Sequence, residues 1–226
     1  MPDRPKKKLF LEKQLQHHLP EHKFDILEAV NTRHLKNHHV GCALSHRRAI
    51  SQAQATGAKH VMVFEEDAVL HNQFNEHIFD VYEQVEKTQW DVLFLGACVW
   101  NPKPSTGKPP RVFEPVGELD KLLRIWGCTC THGIVYSERC YDYILASLPN
   151  NEKEMIKWCD QHIAIDQWLM YHFQGVYKNG KPGSVRRGNR KFNCYMPRPR
   201  LVSQPFLIGD KKQDSPSDFP DMKDWV

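Results

Sequence analysis

Four consecutive apolar residues, Val61 to Phe64, run straight into Glu65, Glu66 and Asp67, after which the chain turns apolar again at Ala68 to Leu70. A short unbroken apolar run bounded by polar residues is the pattern of a strand covered on both faces, the kind found in parallel sheets. Phe74, Ile78, Tyr82 and Val85 then recur near the helical period, which predicts a helix over 74–87. WDVLFLG, residues 90–96, returns as a strand. Strand, helix, strand in that order predicts a right-handed parallel crossover, hence an α/β fold with a mostly parallel, Rossmann-like sheet flanked by helices. Such sheets bind ligands beyond the carboxyl ends of their strands, where the three acids sit. Adjacent carboxylates repel one another and resist desolvation, so a positive partner is expected beside them.

Other segments extend this pattern. Residues 6–18 read as a surface helix, KFDILEAV (23–30) as a strand, and Gly41 to Ala55 as a helix with Ala43, Leu44, Ala49, Ile50 and Ala53 toward the core. CTCTHGIVYS (128–137) reads as a strand ending at Ser137, the N-cap of a helix around Tyr141, Ile144 and Leu145. A further helix is predicted over 164–173 and a last strand at KFNCYMP (191–197). Residues 98–126 lack periodicity and contain NPKPSTGKPP, which predicts a mobile flap over the site, with a disordered insertion as the alternative.

With 226 residues, the chain suits one domain over 1–208 and a polar C-terminal arm over 209–226. A net charge of +4 allows an anionic partner such as a nucleotide but is weak for a dedicated duplex-DNA binder. Seven cysteines without a CxxC pair argue for reduced thiols rather than a disulfide framework or a structural zinc site. No apolar run approaches a membrane span and no signal-peptide core follows MPDRPKKKLF, so the expected location is cytoplasmic.

In an extended backbone Glu65 and Asp67 project to the same side, a partial site for Mg2+ or Mn2+, which take one or two carboxylates and complete their shell with water and phosphate. The competing reading is that Asp67 caps a turn and the glutamates are solvated. GCALSHRRAI places Ser45 and His46 in the helix before this strand, where they meet a sugar or phosphate or merely decorate a surface. Asp166 interrupts an apolar helical stretch, IDQWL, either as a solvated edge or as a base facing a cleft, with Asp160 as the competing candidate. VRRGNRK, with Arg186, Arg187, Arg190 and Lys191, is a solvated loop, a grip for a diphosphate, or a contact for an anionic acceptor or nucleic acid.

GCALSH, then about twenty residues, then an apolar strand ending in EED resembles glycosyltransferase family 25. That family includes bacterial lipooligosaccharide and collagen hydroxylysine galactosyltransferases. PDR at 2–4, WDVLFLG, CTHGIVYS, IDQWL and LVSQP are similar, in order, to further family segments. The resemblance implies a GT-A-like fold, a UDP-sugar donor, Mn2+ or Mg2+, inversion at the anomeric carbon, and a glycan acceptor or, alternatively, hydroxylysine or a hydroxylated nucleobase. By position it implies a metal on Glu65 and Asp67, donor contacts from Arg4, Ser45, His46 and Glu66, and Asp166 as base. His132, Arg186, Arg187 and Gln204 are expected donor or acceptor contacts. Glu66 departs from the family's usual EDD, and the apolar strand that normally precedes the arginine motif is not present ahead of MPDR. A catalytically silent sugar-nucleotide or glycan-binding protein is the alternative reading.

Overall fold

Side chains alternate along the strands of a central sheet between two helical layers, and this alternation builds the core. The structure is a computed structural model that describes residues 5–99, 113–178, 185–187 and 191–203. In chain order it contains α1 (Pro5–His18), α2 (His39–Ala55), β1 (His60–Phe64), β2 (Val69–Leu70), α3 (Phe74–Glu86), β3 (Val92–Phe94) and β4 (Cys98–Val99). A second run comprises β5 (Phe113–Val116), β6 (Leu119–Ile125), β7 (Cys128–Thr129), β8 (Gly133–Ser137), α4 (Glu138–Ser147), α5 (Glu152–His162) and α6 (Ile165–His172). The last elements are β9 (Val176–Lys178), β10 (Val185–Arg187), β11 (Cys194–Pro197) and β12 (Val202–Ser203).

Val92, Phe94, Ile134, Tyr136, Cys194 and Met196 point to one face of the sheet, where they meet Val40, Leu44 and Ile50 of α2 and Trp168 and Leu169 of α6. Leu93, Leu95, Val135 and Tyr195 point to the other, against Leu11 and Leu15 of α1 and Phe74, Ile78 and Val85 of α3. The period of two in the strands and the period near 3.6 in the helices therefore address the same two cores. Ser137 accepts a hydrogen bond from the Arg139 N–H and caps α4, as the sequence predicts.

The sheet is mixed and mainly antiparallel, which corrects the expectation of a mostly parallel Rossmann-like sheet. Its order is β1-β8-β3-β11-β6-β5. Among the described residues only β11 and β3 of this sheet pair in parallel; β1 with β8, β3 with β8, β11 with β6 and β5 with β6 are antiparallel. Burial on both faces does not encode direction, because helices can cover an antiparallel sheet as well as a parallel one. Direction is set by the connections, and the two strands taken as a parallel pair are each hydrogen-bonded to β8 instead. They still run in the same sense, so the carboxyl ends of β1, β3 and β11 share one edge of the sheet with the amino end of β8.

Two further expectations are corrected. Residues 23–30 carry no strand, and Phe24 and Ile26 are exposed rather than packed into a sheet. Of the predicted flap, 113–116 and 119–125 form a hairpin whose second strand lies inside the main sheet, with Leu122, Leu123 and Ile125 buried. Residues 100–112 lie outside the described residues, as does the 209–226 arm. Among the described residues no helix is long and apolar enough to cross a membrane.

Candidate functional site

At the end of β1 the chain makes one more ladder bond, Glu65 N–H to the His132 carbonyl at 3.0 Å, and then turns, with Ala68 N–H donating to the Glu65 carbonyl at 2.9 Å. The turn breaks the strand alternation assumed for Glu65 and Asp67. Glu65 instead faces α2 and the segment leading into β8. Its Oε1 receives the Thr131 hydroxyl at 2.5 Å, stands 3.3 Å from His46 Nε2 and accepts the Cys42 thiol at 3.7 Å. Behind His46, the Tyr136 hydroxyl lies 3.0 Å from Nδ1. Tyr136 and His46 are buried, so this chain of contacts is closed to solvent on its inner side.

These contacts set the charge of Glu65. Burial by itself would push its pKa up, but the His46 hydrogen bond and charge, the Thr131 hydroxyl and the more distant His132 outweigh it and hold the pKa at about 2. The carboxylate is thus ionised throughout the neutral range. Cys42 responds in the opposite sense: burial, then the Glu65 charge, push its thiol well above the usual range.

Sequence explains the local geometry. Cys42 and His46 are four residues apart on α2 and so share one helical face. Gly41 is required because a Cβ there would lie 2.6 Å from Thr32 Oγ1 and 2.8 Å from the Val30 carbonyl oxygen. In the bend after β3, a Cβ on Gly96 would fall 1.8 Å from the Val202 carbonyl oxygen and 2.9 Å from His132 Nε2. His132 is 3% exposed, and neither ring nitrogen has a partner at hydrogen-bond geometry; its ring lies beside Cys130, whose thiol Cys98 and burial push up well above the usual range while His132 opposes them.

Asp166 sits in the first turn of α6 and points at the same segment. Its Oδ2 accepts the Cys130 N–H at 3.0 Å and its Oδ1 the Gln167 N–H at 2.7 Å. Cys130 has a φ of 71°, uncommon for a residue with a side chain, and Asp166 ties that turn in place. Asp166 also adds to the electrostatic field that raises Cys42, which puts it in the neighbourhood of the Glu65 cluster.

The other candidates fall differently. Ser45 is occupied in the framework: its hydroxyl donates to the Gly41 carbonyl at 2.7 Å and accepts the Val30 N–H at 3.0 Å. Glu66 and Asp67 lie on the turn after β1, and Asp67 does not join the group formed by Cys42, His46 and Glu65. Asp160 lies within α5, and the N-cap position of α6 is held by Ala164. Arg186 and Arg187 belong to β10, paired with Tyr177 and Val176 of β9. Arg4 and Gln204 lie outside the described residues. Cys42, Thr131 and Tyr136 were not among the sequence candidates; the spacing of Cys42 from His46 was a readable signal, whereas the other two depend on how β8 is placed.

Comparison with known families accounts for the first half of this arrangement. Residues 6–105 match glycosyltransferase family 25. The family is described as an LPS biosynthesis protein family, and the matched span carries both GCALSH and EED, so the resemblance read from those motifs holds there. A human protein named "Inactive glycosyltransferase 25 family member 3" is 36% identical over 69 residues, 30% of this chain and 12% of its own length. The rat "Probable inactive glycosyltransferase 25 family member 3" is 35% identical over 66 residues, 28% of this chain and 12% of its own. The chain therefore matches only about an eighth of the length of these curated relatives.

Proposed function

We propose that this chain transfers a hexose from a UDP-sugar to a hydroxyl acceptor with inversion at the anomeric carbon, the acceptor being a cell-surface glycan of the lipooligosaccharide kind. The domain would span residues 1–208 and act in the cytoplasm. The observation that carries the reading is Glu65, a carboxylate held ionised at the carboxyl edge of β1 by three side-chain donors on one oxygen. A fixed anion at that edge is suited to hold a hard divalent cation, and its oxygen chemistry fits Mn2+ or Mg2+. Glu65 and Asp67 would hold the ion, and when bound it would offset charge on the departing diphosphate. Glu66 and, near the ends of the domain, Arg4 and Gln204 would contact the donor. Asp166 would take the proton of the attacking hydroxyl. His46 orients Glu65 rather than touching the donor directly, and Ser45 braces α2.

A silent sugar-nucleotide-binding domain is the second reading. It is favoured by the backbone N–H accepted by each Asp166 oxygen and by the word "inactive" in the names of both relatives. Calorimetric titration of Mn2+ and UDP, paired with release of UDP from UDP-galactose and UDP-glucose, separates the two. Transfer predicts tight binding, slow donor hydrolysis, and loss of both in the double variant Glu65→Gln, Asp67→Asn. Binding without hydrolysis supports the silent domain, and wild-type binding in the double variant removes the acids from the donor site.

A further inference from the structure

Among the described residues, Cys42, His46 and Glu65 form a group of three metal-ligand side chains whose donor atoms all lie within 4.8 Å of one another. Its chemistry differs from the carboxylate pair expected for Mn2+. A thiol and an imidazole are soft and borderline donors, which favour zinc over magnesium or manganese. The spacing agrees. With Zn–O and Zn–N near 2.0 Å and Zn–S near 2.3 Å, tetrahedral angles separate N from O by about 3.3 Å and S from O by about 3.5 Å. The structure has 3.3 Å between His46 Nε2 and Glu65 Oε1 and 3.7 Å between Cys42 Sγ and the same oxygen.

The scaffold is that of a built site. Two ligands come from one face of a 17-residue helix at i and i+4, the arrangement by which helices commonly present paired metal ligands, and the third from the end of the adjoining strand. His46 is 2% exposed, so its rotamer is fixed by packing, and the Tyr136 hydroxyl at its other nitrogen is the outer contact that orients a metal-binding imidazole. Thr131 Oγ1, 4.0 Å from Cys42 Sγ and hydrogen-bonded to Glu65, borders the remaining position, which it or a water would fill.

We infer that Cys42, His46 and Glu65 form a zinc site, mixed S/N/O in its donors and set behind the carboxyl edge of β1. Zn2+ would displace the Cys42 thiol proton to solvent and the His46 Nε2 proton either to solvent or, in the neutral ring, through solvent to Nδ1, where the Tyr136 hydroxyl would accept it, and would take over the interactions that Glu65 Oε1 otherwise receives from Cys42 and His46. The zinc site shares Glu65 with the donor reading, but its test needs neither UDP nor turnover, so the failure of one is distinguishable from the failure of the other.

The test uses the whole chain. Equilibrium dialysis against zinc is expected to give one equivalent bound at micromolar free zinc, and cobalt substitution is expected to give a thiolate-to-cobalt charge-transfer band in the near ultraviolet. Cys42→Ser should abolish the band and weaken zinc by about tenfold or more, while Cys159→Ser leaves both unchanged. X-ray absorption at the zinc edge should show one sulfur with nitrogen and oxygen neighbours, and decides the matter if Cys42→Ser does not fold. Absence of stoichiometric zinc, an unchanged band in Cys42→Ser, or a shell with no sulfur or with several would overturn the assignment. In that case the three groups are a hydrogen-bond cluster that orients Glu65.

Discussion

Replacing Gly96 with alanine should cost more stability than any comparable change at an exposed glycine. The new Cβ would lie 1.8 Å from the Val202 carbonyl oxygen and 2.8 Å from its carbon, both backbone atoms with no rotamer to escape through. Relief requires the 201–203 segment to lift away from β3. That movement breaks the bonds from the Leu201 and Val202 N–H groups to the Leu95 carbonyl, at 2.9 and 3.1 Å. Each contributes about 1 kcal/mol net. Leu201 and Val202 are 0% and 1% exposed, and burial of such side chains is worth roughly 1.5–3 kcal/mol each, of which about half is lost if they loosen. The sum is about 4 kcal/mol, a large fraction of the roughly 5–15 kcal/mol that holds a domain together. With a urea slope of roughly 2 kcal/mol/M, the unfolding midpoint should fall by about 2 M. Gly57→Ala is the control: nothing lies within 4 Å of its Cβ, so only its φ of +70° is penalised, at about 1 kcal/mol. Equal midpoints for the two variants, with unchanged slopes, would refute the steric argument.

Glu65 makes a pH prediction. Its pKa is lowered on folding from the ordinary 4.5 to about 2, so its stabilising contribution is present above pH 4.5 and is lost as pH falls toward 2. The contribution is at most about 3 kcal/mol, less where solvent reaches the carboxylate. The stability gap between wild type and Glu65→Gln, read by urea unfolding, should narrow over that window; a gap independent of pH would show that Glu65 is not the titrating group. Asp166→Asn should lower transfer by roughly two orders of magnitude with UDP and Mn2+ affinity retained, because the amide cannot accept a proton. Since one backbone N–H then faces an amide donor, a loss of about 1–2 kcal/mol in stability should accompany it. Stability loss with normal turnover would make Asp166 a brace for the Cys130 turn and nothing more.

Local patterns carried well from sequence to structure, and long-range direction did not. The apolar spacing of 74–85 placed α3, and HVMVF placed β1, because burial on a helical stripe or a pleat is written in nearest neighbours. KFDILEAV has the same local character yet forms no strand, since pairing depends on where the chain runs relative to the sheet, which local composition does not encode. Strand direction failed for a similar reason: residues 119–125 and 133–137 insert between strands far away in sequence. At the site, Glu65 and His46 were legible as chemistry and their meeting was not, because it needs the angle between α2 and β1. Asp67 was paired with Glu65 by a strand rule that the turn at Glu66 suspends.

The centre of the sheet has a consequence for how the chain is made. β11 is the inner strand between β3 and β6, and Leu201–Ser203 closes over Gly96 and pairs with β2, whose register sets Val202 opposite Leu70. During synthesis, residues 60–137 leave the ribosome before the strand that fills the middle of their sheet. The newborn chain therefore holds β3 and β6 with unpaired inner edges for the time taken to add some sixty residues, several seconds at about 5–20 residues per second. An open edge of that kind is a template for pairing with another chain. Expression of this protein should consequently depend on translation speed and on chaperones that shield nascent strands, more than the stability of the finished fold would suggest.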